Sequence, residues 1–414
     1  MPHDTPLMST IVIALCLAFL LGLLAQRLKL PMIAGYLLAG IVIGPFTPGY
    51  VADQALAAEL AELGVILLMF GVGLHFSVRD LMSVKAIAIP GALGQIAVAT
   101  AFGTLVGWLS GWSLGAGLIF GLALSVASTV VLLRAVQDRD MLKTERGRIA
   151  VGWLIVEDLV MVVGLVLIPP LAGVLGGRAA PLTEEAAQVA QWGLGPLVAT
   201  VSVTLAKVGA FIALMLLVGR KLIPALLHYV AMTGSRELFR LAVLSTALGV
   251  AYGSAHFFGV SFALGAFFAG MVMAGSTLSQ QAMRETLPLR DAFAVLFFVS
   301  VGMLFNPAIL LDRPLALFAT VAVIVLVKSA AAYAIMRAFG HGKAMALTIA
   351  TALAQIGEFS FILIVMGVEL AVVPVAARDL VVAGAILSIL LNPILFRLLD
   401  RWVARHGGDL ATEG

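Results

Sequence analysis

The chain predicts an all-α polytopic membrane protein of about thirteen transmembrane helices, built as two inverted-topology repeats that each contain one broken helix. Three observations carry that prediction. Of 414 residues, 62% are hydrophobic and 11% charged, more apolar surface than a soluble core of this size can hide. Apolar runs of about 16 to 28 residues recur to the end of the chain, too long for barrel strands and without their alternation. Two glycine-containing motifs then return at nearly one offset, a sign of internal duplication.

Charged and Pro/Gly-rich breaks bound the runs at 8–26, 31–46, 56–74, 86–109, 113–136, 149–168, 194–218, 237–255, 259–275, 290–305, 315–339, 344–367 and 379–399. The first is preceded by Asp4 and by no Lys or Arg, the wrong flank for a cleaved signal, so it is expected to be a retained helix. It holds Cys16, the one cysteine, which excludes an intrachain disulfide and a cysteine-built metal cluster. Segments 2 and 9 are short and glycine-rich. The longest loop, 172–193, carries Glu184 and Glu185.

Assigning loops alternately to two sides puts 20 Lys and Arg residues on one and 3 on the other, Arg178, Arg313 and Arg378. The rich side includes Arg79, the cluster Arg134, Arg139, Lys143, Arg146 and Arg148, and Arg397, Arg401 and Arg405. By the positive-inside bias, the N-terminus lies outside and the C-terminus in the cytoplasm. The net charge of +3 reflects membrane-flanking loops and gives no nucleic-acid surface. Lys207 and Lys328 fall inside segments; Lys207 reads as a snorkelling or interfacial lysine.

In the repeat, PMIAGYLLAGIVI (31–43) overlays SFALGAFFAGMVM (261–273), matching Gly35 to Gly265, Ala39 to Ala269 and Gly40 to Gly270. LLMFGVGLHFS (67–77) overlays LFFVSVGMLFN (296–306), matching Val72 to Val301, Gly73 to Gly302 and Phe76 to Phe305. Equivalent helices stand seven segments apart, and an odd separation reverses direction. The expected division is 1–171 for the first repeat, 172–235 for a loop and linker helix, 236–400 for the second repeat and 401–414 for a cytoplasmic tail.

Segments 5 and 12 correspond under this offset, and both carry a helix-weakening stretch halfway along. One is Ser125-Val126-Ala127-Ser128-Thr129, the other Gln355-Ile356-Gly357-Glu358-Phe359-Ser360. Broken helices bring half-helix ends and free carbonyls to mid-membrane, where they balance charge and coordinate cations. Segment 6 carries Glu157 and Asp158 at its centre, and ionised groups at that depth mark an ion or proton path. Lys328 shares their level, which makes it the natural counter-ion for an acid of segment 6. Glu358 either lines the pathway or satisfies freed backbone donors, and Glu157 is either an ion ligand or the partner of Lys328. Glu62 and Gln95 read as interhelical hydrogen-bonding residues. No HExxH, phosphate loop or nucleophile motif occurs, so the reading is not an enzyme, and it calls for no cofactor and no transition metal.

PMIAGYLLAGIVIGP (31–45), LFFVSVGMLFN (296–306), QIGEFSFIL (355–363) and the Glu157-Asp158 pair together resemble the Kef-type branch of the monovalent cation:proton antiporters. The resemblance covers nearly the whole chain. It implies a sodium/proton antiporter-like fold with helices 5 and 12 crossing at unwound centres, a homodimer in the inner membrane, and Asp158 binding cation and proton competitively. The function it implies is secondary active exchange of K⁺, in preference to Na⁺, for protons by alternating access. A gated cation channel or efflux pathway using the same acids, and a non-transporting membrane sensor, are the alternatives. Kef-type members commonly carry Gln before the aspartate, and Glu157 here is closer to electrogenic sodium/proton antiporters. Many relatives continue into a cytoplasmic regulatory nucleotide-binding domain, whereas this chain stops at Gly414.

Overall fold

A computed structural model describes residues 6–75, 78–137, 139–141, 144–178, 183–191 and 195–410. Of the residues singled out above, Asp4, Phe76, Lys143, Gly414 and the side chains of Arg79 and Arg134 lie outside this set.

Among the described residues the fold is helical, without strands. The first half comprises α1 (Pro6–Arg27), α2 (Met32–Ile43), α3 (Gln54–His75), α4 (Val78–Leu109), the half-helices α5 (Leu114–Ser125) and α6 (Thr129–Gln137), and α7 (Glu145–Leu171). A short α8 (Glu184–Ala190) sits in the long loop. Then α9 (Pro196–Leu214) and α10 (Arg220–Met232) are joined by a π-helical turn, Met215–Gly219. The second half comprises α11 (Arg236–Phe258), α12 (Phe262–Ala274), α13 (Ser279–Met303) and a short α14 (Ile309–Asp312). It continues with α15 (Pro314–Ala322) and α16 (Lys328–Ala338), the half-helices α17 (Lys343–Ala352) and α18 (Glu358–Glu369), and α19 (Val375–Leu410). Each of the thirteen expected segments coincides with one helix or one joined pair.

Among the described residues, ten helices are long and apolar enough to cross a membrane. The short α2 and α12 are not among them: twelve and thirteen residues rise only about 18–20 Å against a hydrocarbon core of about 30 Å. Several boundaries differ from the sequence reading: α13 begins at Ser279 instead of 290, and the segment expected to end at 218 continues through α10 to Met232. Helix α4 begins at Val78 instead of 86, and α19 runs through Leu410, so most of the expected tail is continuous helix. The second break spans 353–357, and Glu358, Phe359 and Ser360 already belong to the first turn of α18.

Burial sorts the helices into centre and perimeter. In the best-buried span, Leu114–Leu133, 72% of the apolar window is buried, against 11% for Pro196–Met232. The broken pair α5–α6 is therefore central, and α9–α10 is a peripheral rod. Two backbone-to-backbone contacts brace the frame around that centre. A Cβ on Gly40 of α2 would strike the Val299 carbonyl of α13, and one on Gly302 of α13 would strike the Leu37 carbonyl of α2. The same reciprocity joins Gly73 of α3 to Phe267 of α12, and Gly270 of α12 to Phe70 of α3. Only hydrogen at these four positions lets the helix backbones approach so closely.

Candidate functional site: the crossing of two broken helices

Local chemistry explains where α5 stops. Ser125 turns its hydroxyl back to the Leu122 carbonyl (2.7 Å), and the β-branched Val126 adopts extended backbone, φ −104° and ψ 133°. Ser128 restarts the chain as the cap of α6. Its hydroxyl accepts from the Val131 N–H (3.3 Å) and its carbonyl from the Leu132 N–H (3.0 Å). At the other break, Gly357 lies against Ser128, and a Cβ there would collide with both Cα and Cβ of Ser128. The two unwound stretches cross at that contact.

Gln355 fastens the crossing. Its Oε1 accepts from the Ser128 N–H (2.9 Å) while its Nε2 donates to the Ser128 carbonyl (3.3 Å), so one side chain pairs with both backbone groups of one residue. The Ser128 hydroxyl donates to Glu358 Oε2 at 3.0 Å. From α7, Glu157 Oε2 accepts the freed Ala127 N–H (2.8 Å), and Asp158 Oδ2 accepts from the Thr129 hydroxyl (3.3 Å). Helix α7 brings these acids to mid-span because Thr144 caps it (Gly147 N–H to Oγ1, 3.3 Å), which makes Asp158 the fourteenth of its 27 residues.

Lys328 begins α16 immediately after a π-helical turn, Val323–Val327, a feature that recurs at functional sites. Its Nζ donates to the Gln355 carbonyl at 2.8 Å. It makes no ion pair within 4.0 Å of Glu157 among the described residues, although the two charges act on each other. Shared depth thus brought Lys328 to the site, but its direct partner is a backbone oxygen of the break.

Three residues important to this arrangement were not assigned to it by sequence reasoning. Gln95 of α4 donates to the freed Ser125 carbonyl (2.9 Å) and accepts from Trp153 Nε1 (3.3 Å). Asn392 of α19 donates to the Thr351 carbonyl (2.8 Å), and Ser329 to the Ala350 carbonyl (2.9 Å). Their signal in sequence is a polar side chain at mid-span depth. Lys207, by contrast, lies away from the crossing and pairs with Glu185 at 3.1 Å.

Four oxygens are left over. Glu157 Oε1, Asp158 Oδ1, Glu358 Oε1 and Ser360 Oγ are buried and without hydrogen-bond partners. All three acids and Lys328 are at most 3% exposed. With every group ionised, three carboxylates and one ammonium leave two uncompensated negative charges, a state the interior tolerates only with protons or a cation present. Among the described residues no three His, Cys, Asp or Glu side chains converge as a metal cage.

This arrangement has relatives. The sodium/hydrogen exchanger transmembrane model matches residues 12–401. The chain belongs to the sodium/hydrogen exchanger family. An Escherichia coli (strain K12) protein provisionally named cation/proton antiporter YbaL is 59% identical over 405 residues, covering 98% of this chain and 70% of that protein. K(+) efflux antiporter 4 of Arabidopsis thaliana is 31% identical over 398 residues, covering 96% of this exchanger chain and 64% of the plant protein. The sodium proton antiporter MjNhaP1 of Methanocaldococcus jannaschii, solved at pH 8, shares the fold with a TM-score of 0.68 at 17% identity. That match covers 95% of this chain and 98% of MjNhaP1.

Proposed function

We propose that the protein exchanges a monovalent cation, K⁺ in preference to Na⁺, for protons by alternating access, with Asp158 as the carrier of either ion. The observation that carries this reading is the set of three buried carboxylates, each with one unpartnered oxygen, at the crossing of two broken helices. Ionised Asp158 takes the cation through Oδ1, and a proton arriving on the same carboxyl displaces it. Glu157 keeps one oxygen on the Ala127 amide and Lys328 keeps the Gln355 carbonyl, so both hold break geometry while Asp158 changes occupant. Ser125, Ser128, Thr129, Gln355, Gly357 and Glu358 form the surrounding shell.

K⁺ is favoured on the resemblance of the motifs and on the printed name of the plant relative. The same reading has the basic-rich loops in the cytoplasm, the N-terminus outside, the chain in the inner membrane as a homodimer, and a regulatory nucleotide-binding domain as partner. The reciprocal glycine contacts, Gly40 with Gly302 and Gly73 with Gly270, support two inverted repeats, because the repeat exchanges one contact for the other.

Reconstitution in proteoliposomes, with K⁺ and Na⁺ offered in turn, tests the function. Asp158→Asn is expected to abolish cation-driven proton movement while the protein stays folded, since an amide cannot alternate between carboxylate and acid. Appreciable exchange by that variant moves the carrier role to Glu157 or Glu358. Flux that neither saturates nor drives protons makes the protein a channel instead.

A further inference from the structure

Two of the three acids at the crossing reach one turn of backbone from two different helices. Ser128 caps α6 and Thr129 is its first residue, so their Cα atoms stand about 3.8 Å apart. From α18, Glu358 Oε2 accepts from the Ser128 hydroxyl at 3.0 Å; from α7, Asp158 Oδ2 accepts from the Thr129 hydroxyl at 3.3 Å. The close contact of Gly357 with Ser128 fixes this approach of α18, because Glu358 is the next residue. Thr129 bears on Glu358 as well, through its hydroxyl and its N–H. That hydroxyl has one proton to offer two carboxylates.

Each carboxyl keeps a second oxygen, Glu358 Oε1 and Asp158 Oδ1, buried and without a partner. Glu358 is 1% exposed and Asp158 3%, so bulk water does not serve these atoms. Capping the break takes one oxygen of Glu358, and a glutamine would supply it equally well; capping leaves the second oxygen and the charge unexplained.

Charge balance points the same way. Among the described residues the ammonium at the crossing is Lys328, which rests on the Gln355 carbonyl and acts on Glu157. Glu358 is foremost among the charges that act on Asp158. The N-termini of α6 and α18 both open at this turn, each carrying roughly half a positive charge. Set against two carboxylates they leave about one negative charge, the deficit that one monovalent cation or one proton cancels.

We propose that Glu358 is a direct ligand of the transported cation, held jointly with Asp158 between α18 and α7 through Glu358 Oε1 and Asp158 Oδ1. The inference rests on the antiporter reading and adds a second carboxylate to it. A proton arriving on the pair releases the cation, and the Thr129 hydroxyl turns to the carboxylate that stays ionised.

Binding is read apart from transport as the rise in unfolding temperature that K⁺ or Na⁺, titrated against choline, gives the purified protein in detergent. Glu358→Gln keeps an oxygen for the Ser128 hydroxyl, so its unfolding temperature without alkali ion should stay near that of the parent. The cation concentration giving half the shift is expected to rise about ten-fold, as is the half-saturating concentration for exchange in proteoliposomes. Glu358→Asp should recover part of the loss, because it restores the charge. An unchanged half-saturation in Glu358→Gln makes Glu358 a cap of the break and overturns the joint site. If Glu358→Gln does not fold, crystals of the parent soaked in thallium(I) decide: anomalous density between the two carboxyls supports the pair, and density on Asp158 alone overturns it. Asp158→Asn separates the two proposals. Exchange kept by that variant removes the carrier reading, whereas exchange lost there beside an unshifted Glu358→Gln removes only the joint site.

Discussion

Where α5 gives way to α6, the freed backbone groups are both amides and carbonyls, and the charged partner among their contacts is an anion, Glu157 on the Ala127 N–H. Where α17 gives way to α18, the groups held by side chains are carbonyls, those of Ala350, Thr351, Ala352 and Gln355, and the charged partner is a cation, Lys328. The two breaks thus carry opposite electrical character although both arise from weakened mid-span helix. Opposite breaks crossing at Ser128 and Gly357 place an anion-holding and a cation-holding stretch side by side, each anchoring what the other lacks. The lesson is that unwinding alone does not define an ion site; the side chains that claim the freed groups do.

Removing the cation from the second break is expected to have the largest effect. Lys328→Ala leaves the Gln355 carbonyl without its donor and the three acids without an ammonium, and should cost about 3–5 kcal/mol in thermal unfolding in detergent. Adding Glu157→Gln should recover part of that loss, since one buried negative charge goes with it. A lysine variant as stable as the parent would remove Lys328 from the balance of the crossing.

Next comes the fastening between the breaks. Gln355→Ala strands the Ser128 N–H and takes one of two donors from the Ser128 carbonyl, which keeps the Leu132 N–H, a loss of about 1–3 kcal/mol for the unsatisfied buried group. Exchange should fall at least ten-fold, read from initial rates in proteoliposomes, because the crossing loses its register. If stability drops while the rate persists, the two breaks work without mutual alignment.

Smaller effects compare the outer supports. Gln95→Leu strands the Ser125 carbonyl and takes the acceptor from Trp153 Nε1, whereas Asn392→Leu takes one of two donors from the Thr351 carbonyl, which keeps the Ala354 N–H; about 1–2 kcal/mol is expected for the first and less for the second in the same unfolding measurement. Similar values make the supports equivalent; a much larger loss for one identifies the break on which the fold relies more.

The smallest change is expected at an exposed pair far from both breaks. The Glu185 carboxyl is held below the ordinary carboxylate range by its own backbone amide, then by Lys207 and Thr183. A lowered value means that its contribution is present above the ordinary range and is lost as pH falls through the lowered one. Glu185→Gln should therefore leave the unfolding midpoint almost unchanged at neutral pH and remove only a slight acid-side dependence. A marked neutral-pH loss would give this loop a structural weight that its exposure argues against.

Much of the fold was legible because its signals are local. Apolar length and loop charge fix thirteen segments, and the serine- and glycine-containing stretches at 125–129 and 355–360 mark the interruptions. The acids of segment 6 were legible for the same reason, since charge at mid-span stands out against an apolar background. What escaped was partner choice. Depth put Lys328 level with Glu157, yet it carries no information on which way a helix faces, and the lysine meets the Gln355 carbonyl. Gln95 and Asn392 were readable as polar residues in apolar helices, but which carbonyl each completes depends on where neighbouring helices unwind.

The four glycines that join α2 to α13 and α3 to α12 bear on how such a sequence can drift over time. Each sits where any larger residue meets a carbonyl of the opposite helix, and the partner is main chain, so no compensating side-chain change on the neighbour can make room. Gly40, Gly73, Gly270 and Gly302 cannot therefore be exchanged one at a time, nor traded in pairs. The little-buried α9–α10 rod has no such restraint within the chain and is free to accumulate apolar replacements. A saturation library selected for growth would then be silent at these four codons and permissive along the rod, so that the history of the chain is written at its rim while its braces stay fixed.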